Sequence, residues 1–309
     1  MTIGIACFGD DPVRAAIRAV IGAELLGRGA IGGFAVLALL DEQGVFHHAS
    51  VQRGGVSAID IPPQWARAAA AAVISSGPDR PEPLVQFLPG RDRVGLVTGH
   101  RLPNTPSADA CLLNMMALDL LTAGQSPQSA VDTVLDGEPE ADAGLIAISL
   151  SGEIGVRNSS RAARRPDLGQ ASRIENGRGY ALLHNSIYAN LLDCMALAST
   201  LGELAWEALG GTQASCEFLQ LAGPIRLNSS KQDRVSIDAK GRIMSIDTAN
   251  TALLSGIHVA RSVVYGAPAI YRGGHLAGYA ATELFARIEN GVAHPLPRET
   301  DHTMLMRRK

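Results

Sequence analysis

Three polar clusters stand at the ends of apolar runs, where side chains from different strands can meet: Gln52-Arg53-Gly54-Gly55, Thr98-Gly99-His100-Arg101 and Arg157-Asn158-Ser159-Ser160. Solvated turns ordinarily use Asp, Asn, Gly and Ser, so an arginine or histidine beside glycine asks for another reason. Arginine offers two parallel donors to a carboxylate, and an adjacent glycine lets a ligand reach the backbone. Arg53, Gly54, His100, Arg101, Asn104 and Ser159 are therefore candidate substrate-binding residues for a small molecule carrying a carboxylate or amide, and Asn158 is a candidate catalytic donor. Glu140-Ala141-Asp142 sets two carboxylates ahead of an apolar strand. Asp142 could transfer protons if burial raised its pKa, although solvation of a connector explains such a pair equally well.

Much familiar chemistry is excluded. No GxGxxG opens a helix after a strand, and GxxxxGK[ST], HExxH and GxSxG do not occur. His47 and His48 are neighbours on an expected strand and point to opposite faces, so they cannot chelate one ion. Cys7, Cys111, Cys194 and Cys216 are scattered, as reduced core thiols would be. Neither metal nor cofactor is expected. The 309 residues carry a net charge of -3 and 18% charged side chains without a basic stripe, which argues against nucleic acid or an anionic membrane as partner. The sequence has no apolar run of membrane-spanning length and its first residues have no leader pattern, so a cytoplasmic location is expected.

The elements that must position these residues follow from periodicity and breakers. Residues 3–8 read as a buried strand, and Pro12 opens a helix that ends near Gly27. Phe34–Leu40 and Val45–Gln52 make a hairpin, Gln64–Val73 a helix, and Val94–Thr98 a strand running into the polar turn Gly99–Asn104. A helix over 107–123 precedes a second one capped by Ser126-Pro127. Leu145–Ile148 and Glu153–Asn158 form another hairpin, as does the segment around 238–243. The spacing predicts a loop over 161–179, a strand over 180–185, helices over 188–209 and 280–289, and a frayed basic tail. The apolar helix 188–209 could serve an interface between copies, giving a homo-oligomer, as well as a core. Together these elements predict a mixed α/β protein with layered, largely antiparallel sheets and flanking helices, with 34–40 and 145–148 in one buried sheet system. A composition shift near residue 210 marks a β-rich C-terminal portion, 211–309.

Within residues 31–163, Leu120-Leu121-Thr122-Ala123-Gly124, Ser126-Pro127-Gln128-Ser129-Ala130-Val131 and the hairpin from Ala143-Gly144-Leu145-Ile146-Ala147-Ile148 through Ser151-Gly152 to Val156-Arg157-Asn158-Ser159 resemble the N-terminal-nucleophile hydrolase superfamily. The likeness is nearest to a bacterial branch without an assigned activity, and looser to the asparaginase and glycosylasparaginase group. Gly27-Arg28-Gly29-Ala30-Ile31-Gly32-Gly33-Phe34, Thr98-Gly99-His100-Arg101-Leu102-Pro103-Asn104 and Ala163-Arg164-Arg165-Pro166-Asp167-Leu168-Gly169 are similar to segments of that branch. The resemblance implies an αββα sandwich over residues 1–210 and amide-bond hydrolysis by a terminal Thr, Ser or Cys whose own α-amine is the base. In this chain that nucleophile is Thr2 after loss of Met1. The expected function is cofactor-independent hydrolysis of an amide bond in a small carboxylate-bearing compound. A catalytically silent ligand-binding or assembly protein of the same fold is the alternative, and a cysteine amidase using Cys7 a third.

Overall fold

The computed structural model describes residues 1–190 and 192–309, and the side chain of Glu299 is outside the description. The chain divides into two compact units, Met1–Ala214 and Ser215–Lys309.

The first unit is a four-layer αββα sandwich. Its larger sheet contains β1 (Thr2–Phe8), β2 (Phe34–Leu40), β3 (Phe46–Gln52), β4 (Ala70–Ser76), β9 (Leu168–Glu175) and β10 (Arg178–Asn185), in the order β3-β2-β4-β1-β10-β9 and antiparallel throughout. The smaller one runs β5 (Gly90–Arg91), β6 (Gly95–Arg101), β7 (Ala143–Ser149) and β8 (Ile154–Asn158). Helices α1 (Pro12–Leu26) and α5 (Cys194–Ala208) pack on the outer face of the larger sheet, while α2 (Leu113–Thr122) and α3 (Pro127–Gly137) cover the smaller one. Between the sheets lies a core in which Phe34, Val36 and Leu40 meet Leu96, Ile146 and Ile148. The strands 34–40 and 145–148 thus belong to facing sheets of one core.

The local signals that hold are the ones with a mechanism inside the chain. Asp11 accepts from Arg14 N–H and Pro12 starts α1; Ser126 accepts from Ser129 N–H and Pro127 starts α3. Several expectations are corrected. Gln64–Val73 is a short 3-10 turn, Pro63–Arg67, followed by strand β4: alanine favours a helix in isolation, but a segment between β2 and β1 with both faces covered gains more by pairing. The expected loop 161–179 holds a short helix α4 (Ser160–Ala163) and the edge strand β9. Strand β6 extends to Arg101, through the expected turn. Helix α2 starts only at Leu113, and the helix expected over 188–209 starts at Cys194, with Leu191 outside the described residues.

The second unit is a curled ten-stranded sheet with its own core of Leu227, Ile246, Ile270, Ile288 and Met304. Residues 280–289 contribute strands His275–Ala280 and Leu284–Glu289, not a helix, because burial alternates residue by residue from Leu284 to Ile288. The expected frayed tail is the strand Thr303–Arg308, whose Met304, Leu305 and Met306 are fully buried. No described helix is long and apolar enough to cross a membrane.

Candidate active site

Strand alternation sends every second side chain into the space between the two sheets. Along β1 the inward set includes Ala6; along β4, Ile74; along β10, Ala181 and Leu183; along β6, Leu96; along β7, Ile146; along β8, Val156. Continued to one end of the sandwich, the same set turns polar: Thr2, Ser76 and Asn185 from the larger sheet, His100 and Asn158 from the smaller. Register aligns them, since Thr2 pairs with both Ser76 and Asn185, and Gly144 with both His100 and Asn158. Thr2, Ser76, His100 and Asn185 are all buried, none more than 3% exposed. A buried polar end on an otherwise apolar core is costly unless its groups are paired, so it calls for a function.

The backbones come together here because β1 and β6 cross through glycines. A Cβ on Gly4 would stand 2.1 Å from the Gly99 carbonyl oxygen. Beside that crossing the Thr2 hydroxyl donates to Ser76 Oγ at 3.3 Å, and Ser76 donates to the Met1 carbonyl at 2.8 Å. The Gly77 N–H reaches the same carbonyl at 3.3 Å. Two donors therefore converge on the carbonyl that precedes Thr2.

His100 Nε2 lies 2.5 Å from Asn158 Oδ1, and its Nδ1 3.4 Å from Asn185 Oδ1. Burial pushes the ring's pKa down, against the pull of the two amides. A neutral ring has a single N–H, so it donates to one of the two amide oxygens. Asn185 donates to Ser186 Oγ at 3.0 Å, Ser186 to Asp167 Oδ2 at 2.5 Å, and Asp167 receives Arg165 Nε and Nη2 at 2.9 and 2.8 Å. The Arg165 guanidinium holds the Asp167 carboxyl at about 2. A second fork joins Arg101 to Asp142. Arg101 and Ser186, each directly following a site residue, take left-handed backbone with φ of 64° and 54°. Non-glycine residues there cost about 1–3 kcal/mol, and such strain concentrates at functional sites. The Met1 amine is lowered first by burial, then by Arg101 and Arg80, so its surroundings favour a neutral amine.

Of the residues expected from sequence, Thr2, Asn158, His100 and Arg101 are brought together. Arg53 and Gly54 are not. They follow β3, four strand spacings from Asn185, about 19 Å, and Arg53 is an exposed partner of Asp79. Asn104 gives its NH2 to Gln86 at 3.1 Å. Ser159 caps α4 and donates to the Ala141 carbonyl, so its hydroxyl is structural. Asp142 is not a carboxyl of raised pKa: the Arg101 hydrogen bond lowers it, which makes it an anchor for Arg101 and unsuited to donating a proton near neutrality. Cys7 is fully buried and burial pushes its thiol up, so it is no thiolate nucleophile. Sequence reasoning missed Ser76, Asn185, Ser186, Arg165 and Asp167. Ser75-Ser76 and His184-Asn185-Ser186 carried the same signal as the chosen clusters, polar residues closing an apolar strand.

Residues 2–218 match the family model described as Domain of unknown function (DUF6963). The chain belongs to that family. Residues 224–301 match a second model, Domain of unknown function (DUF7259), so the DUF6963 match accounts for the sandwich and the site. No curated protein matches the chain. Among solved structures, the crystal structure of protein SPO2555 from Silicibacter pomeroyi, family-model DUF1028, is similar at 15% identity, covering 57% of this chain and 67% of that one with a TM-score of 0.30. A score of that size carries no structural equivalence, and the αββα arrangement rests on the strand order given above.

Proposed function

We propose that the protein is a cofactor-independent hydrolase of an amide bond in a small carboxylate-bearing compound, with Thr2 as its nucleophile, and that its first unit is a member of the N-terminal-nucleophile hydrolase superfamily. The observation that carries this reading is the buried polar end of the inter-sheet core with Thr2 at its centre. Cutting the Met1–Thr2 bond exposes an α-amine on the residue that bears the hydroxyl. That amine takes the proton from Oγ1 as the oxygen attacks the substrate carbonyl carbon, and passes it to the departing nitrogen. The Ser76 hydroxyl and Gly77 N–H, released from the Met1 carbonyl, receive the oxyanion. Water then cleaves the ester and restores the hydroxyl. The four cysteines are free thiols, which fits a reducing compartment such as the cytoplasm.

The rival, a catalytically silent binding protein, draws support from one contact: with Met1 in place its carbonyl occupies both donors. Intact-mass measurement and turnover of small amide-bearing carboxylates separate the two. The mature chain should begin at Thr2, and Thr2→Ala should fold and lose hydrolysis. A chain that keeps Met1 and hydrolyses at an undiminished rate would sink the reading.

A further inference from the structure

A groove of about 450 Å³ opens beside the site, its lining including Asn158, Arg165, Gly169, Gln170, Ser172 and Met195. Asn158 links it to His100, and Arg165 to the Asp167–Ser186–Asn185 chain. Residues 168–172 of its lining belong to β9, the outermost strand of the larger sheet, which pairs with β10 over eight consecutive residues without a bulge. In an antiparallel pair alternate residues direct N–H and C=O away from the partner, and β9 carries no proline, lysine or bulge to guard that edge. Among the described residues no backbone hydrogen bond reaches it. Among the described residues Arg165 is the one charged side chain lining the groove. Its Nε and Nη2 engage Asp167, leaving Nη1 for another acceptor. The row Thr2, Asn185, Leu168 sets the near end of β9 level with the site, two strand spacings from Thr2, about 10 Å.

We propose that the open edge of β9 and this groove bind an extended acidic peptide by strand addition, with a carboxylate on Arg165 and the peptide's end turned in past Leu168 towards Asn158. Backbone hydrogen bonds to the edge supply affinity, and Arg165 selects an acidic side chain at the one position that reaches it. As a substrate class this rests on the hydrolase reading; as a binding mode it does not.

Fluorescence anisotropy of full-length Thr2→Ala protein with a short labelled peptide of alternating valine and glutamate tests binding apart from cleavage. Saturable binding is expected, about tenfold weaker once the glutamates become glutamines. Methylating alternate peptide nitrogens should weaken it about tenfold in one register and leave the other unchanged, a contrast that no folding defect can mimic. Arg165→Gln should erase the preference for glutamate. Absence of saturable binding, or equal loss in both methylated registers, overturns strand addition. Cleavage by the wild-type chain is a separate readout: binding without cleavage overturns the peptide as a substrate class while the binding mode stands.

Discussion

His184 makes the first unit sensitive to acid in a way that can be calculated. Its side chain, on the opposite face of β10 from Asn185, is fully buried; Nε2–H donates to the Cys194 carbonyl at 3.0 Å, and Nδ1 is buried without a partner. A proton on Nδ1 would be an unpaired buried charge, and burial accordingly lowers the ring from its ordinary 6.5 to about 4. Between those values the unfolded chain binds the proton and the folded chain does not, so stability rises with pH and is lost on acidification. At about 1.4 kcal/mol per pH unit, the fall from 6.5 to about 4 makes about 3 kcal/mol. The perturbation is His184→Gln, which can still donate to Cys194 but does not titrate. Both tryptophans, Trp65 and Trp206, lie in the first unit, so urea unfolding followed by their fluorescence reports on it. Wild-type protein should lose about 3 kcal/mol more than His184→Gln between pH 7 and pH 4, whatever the variant's stability at neutrality. His100 shifts in the same direction but is common to both proteins. Parallel stability curves for the two would refute the assignment of a neutral, unpaired His184.

Asp167 titrates in the opposite sense. Its carboxyl is held at about 2, so its pairing is fully present above the ordinary carboxylate range and lost as pH falls from about 4 towards 2. Asp167→Asn should abolish that transition and cost about 1–2 kcal/mol at pH 7, discounted for the partial exposure of Arg165; an unchanged acid limb in denaturation curves counts against it. Gly4→Ala places a methyl against the Gly99 carbonyl and should cost about 1–3 kcal/mol, lowering the thermal midpoint by several degrees, whereas an unaltered midpoint would mean that the sheets do not touch there. Ser126→Ala removes the acceptor for Ser129 N–H and should cost about 1 kcal/mol in the same assay, with α3 otherwise intact.

Features enforced by neighbours along the chain were legible in the sequence. Pro12 and Ser126-Pro127 start helices because a missing N–H costs nothing there, and the strand 143–149 returns as 154–158 because Ser151-Gly152 turns it locally. Polar residues closing apolar strands picked out His100, Arg101 and Asn158. Long-range pairing settled the rest. The alanines of 70–72 carry the same small methyl on both faces, so no periodicity marks them, and pairing between β2 and β1 made them strand. Arg53 and Arg101 look alike in sequence, yet only the sheet order shows that the strand before Arg53 lies about four strands from Asn185, while the strand of Arg101 brings His100 to it. The pKa of Asp142 depended on a guanidinium 41 residues earlier. Thr2, Ser76, His100, Asn158 and Asn185 come from five strands of two sheets, and nothing local relates them. They meet because strand register fixes which side chains point inward, and because Gly4 and Gly99 let the two backbones cross in contact.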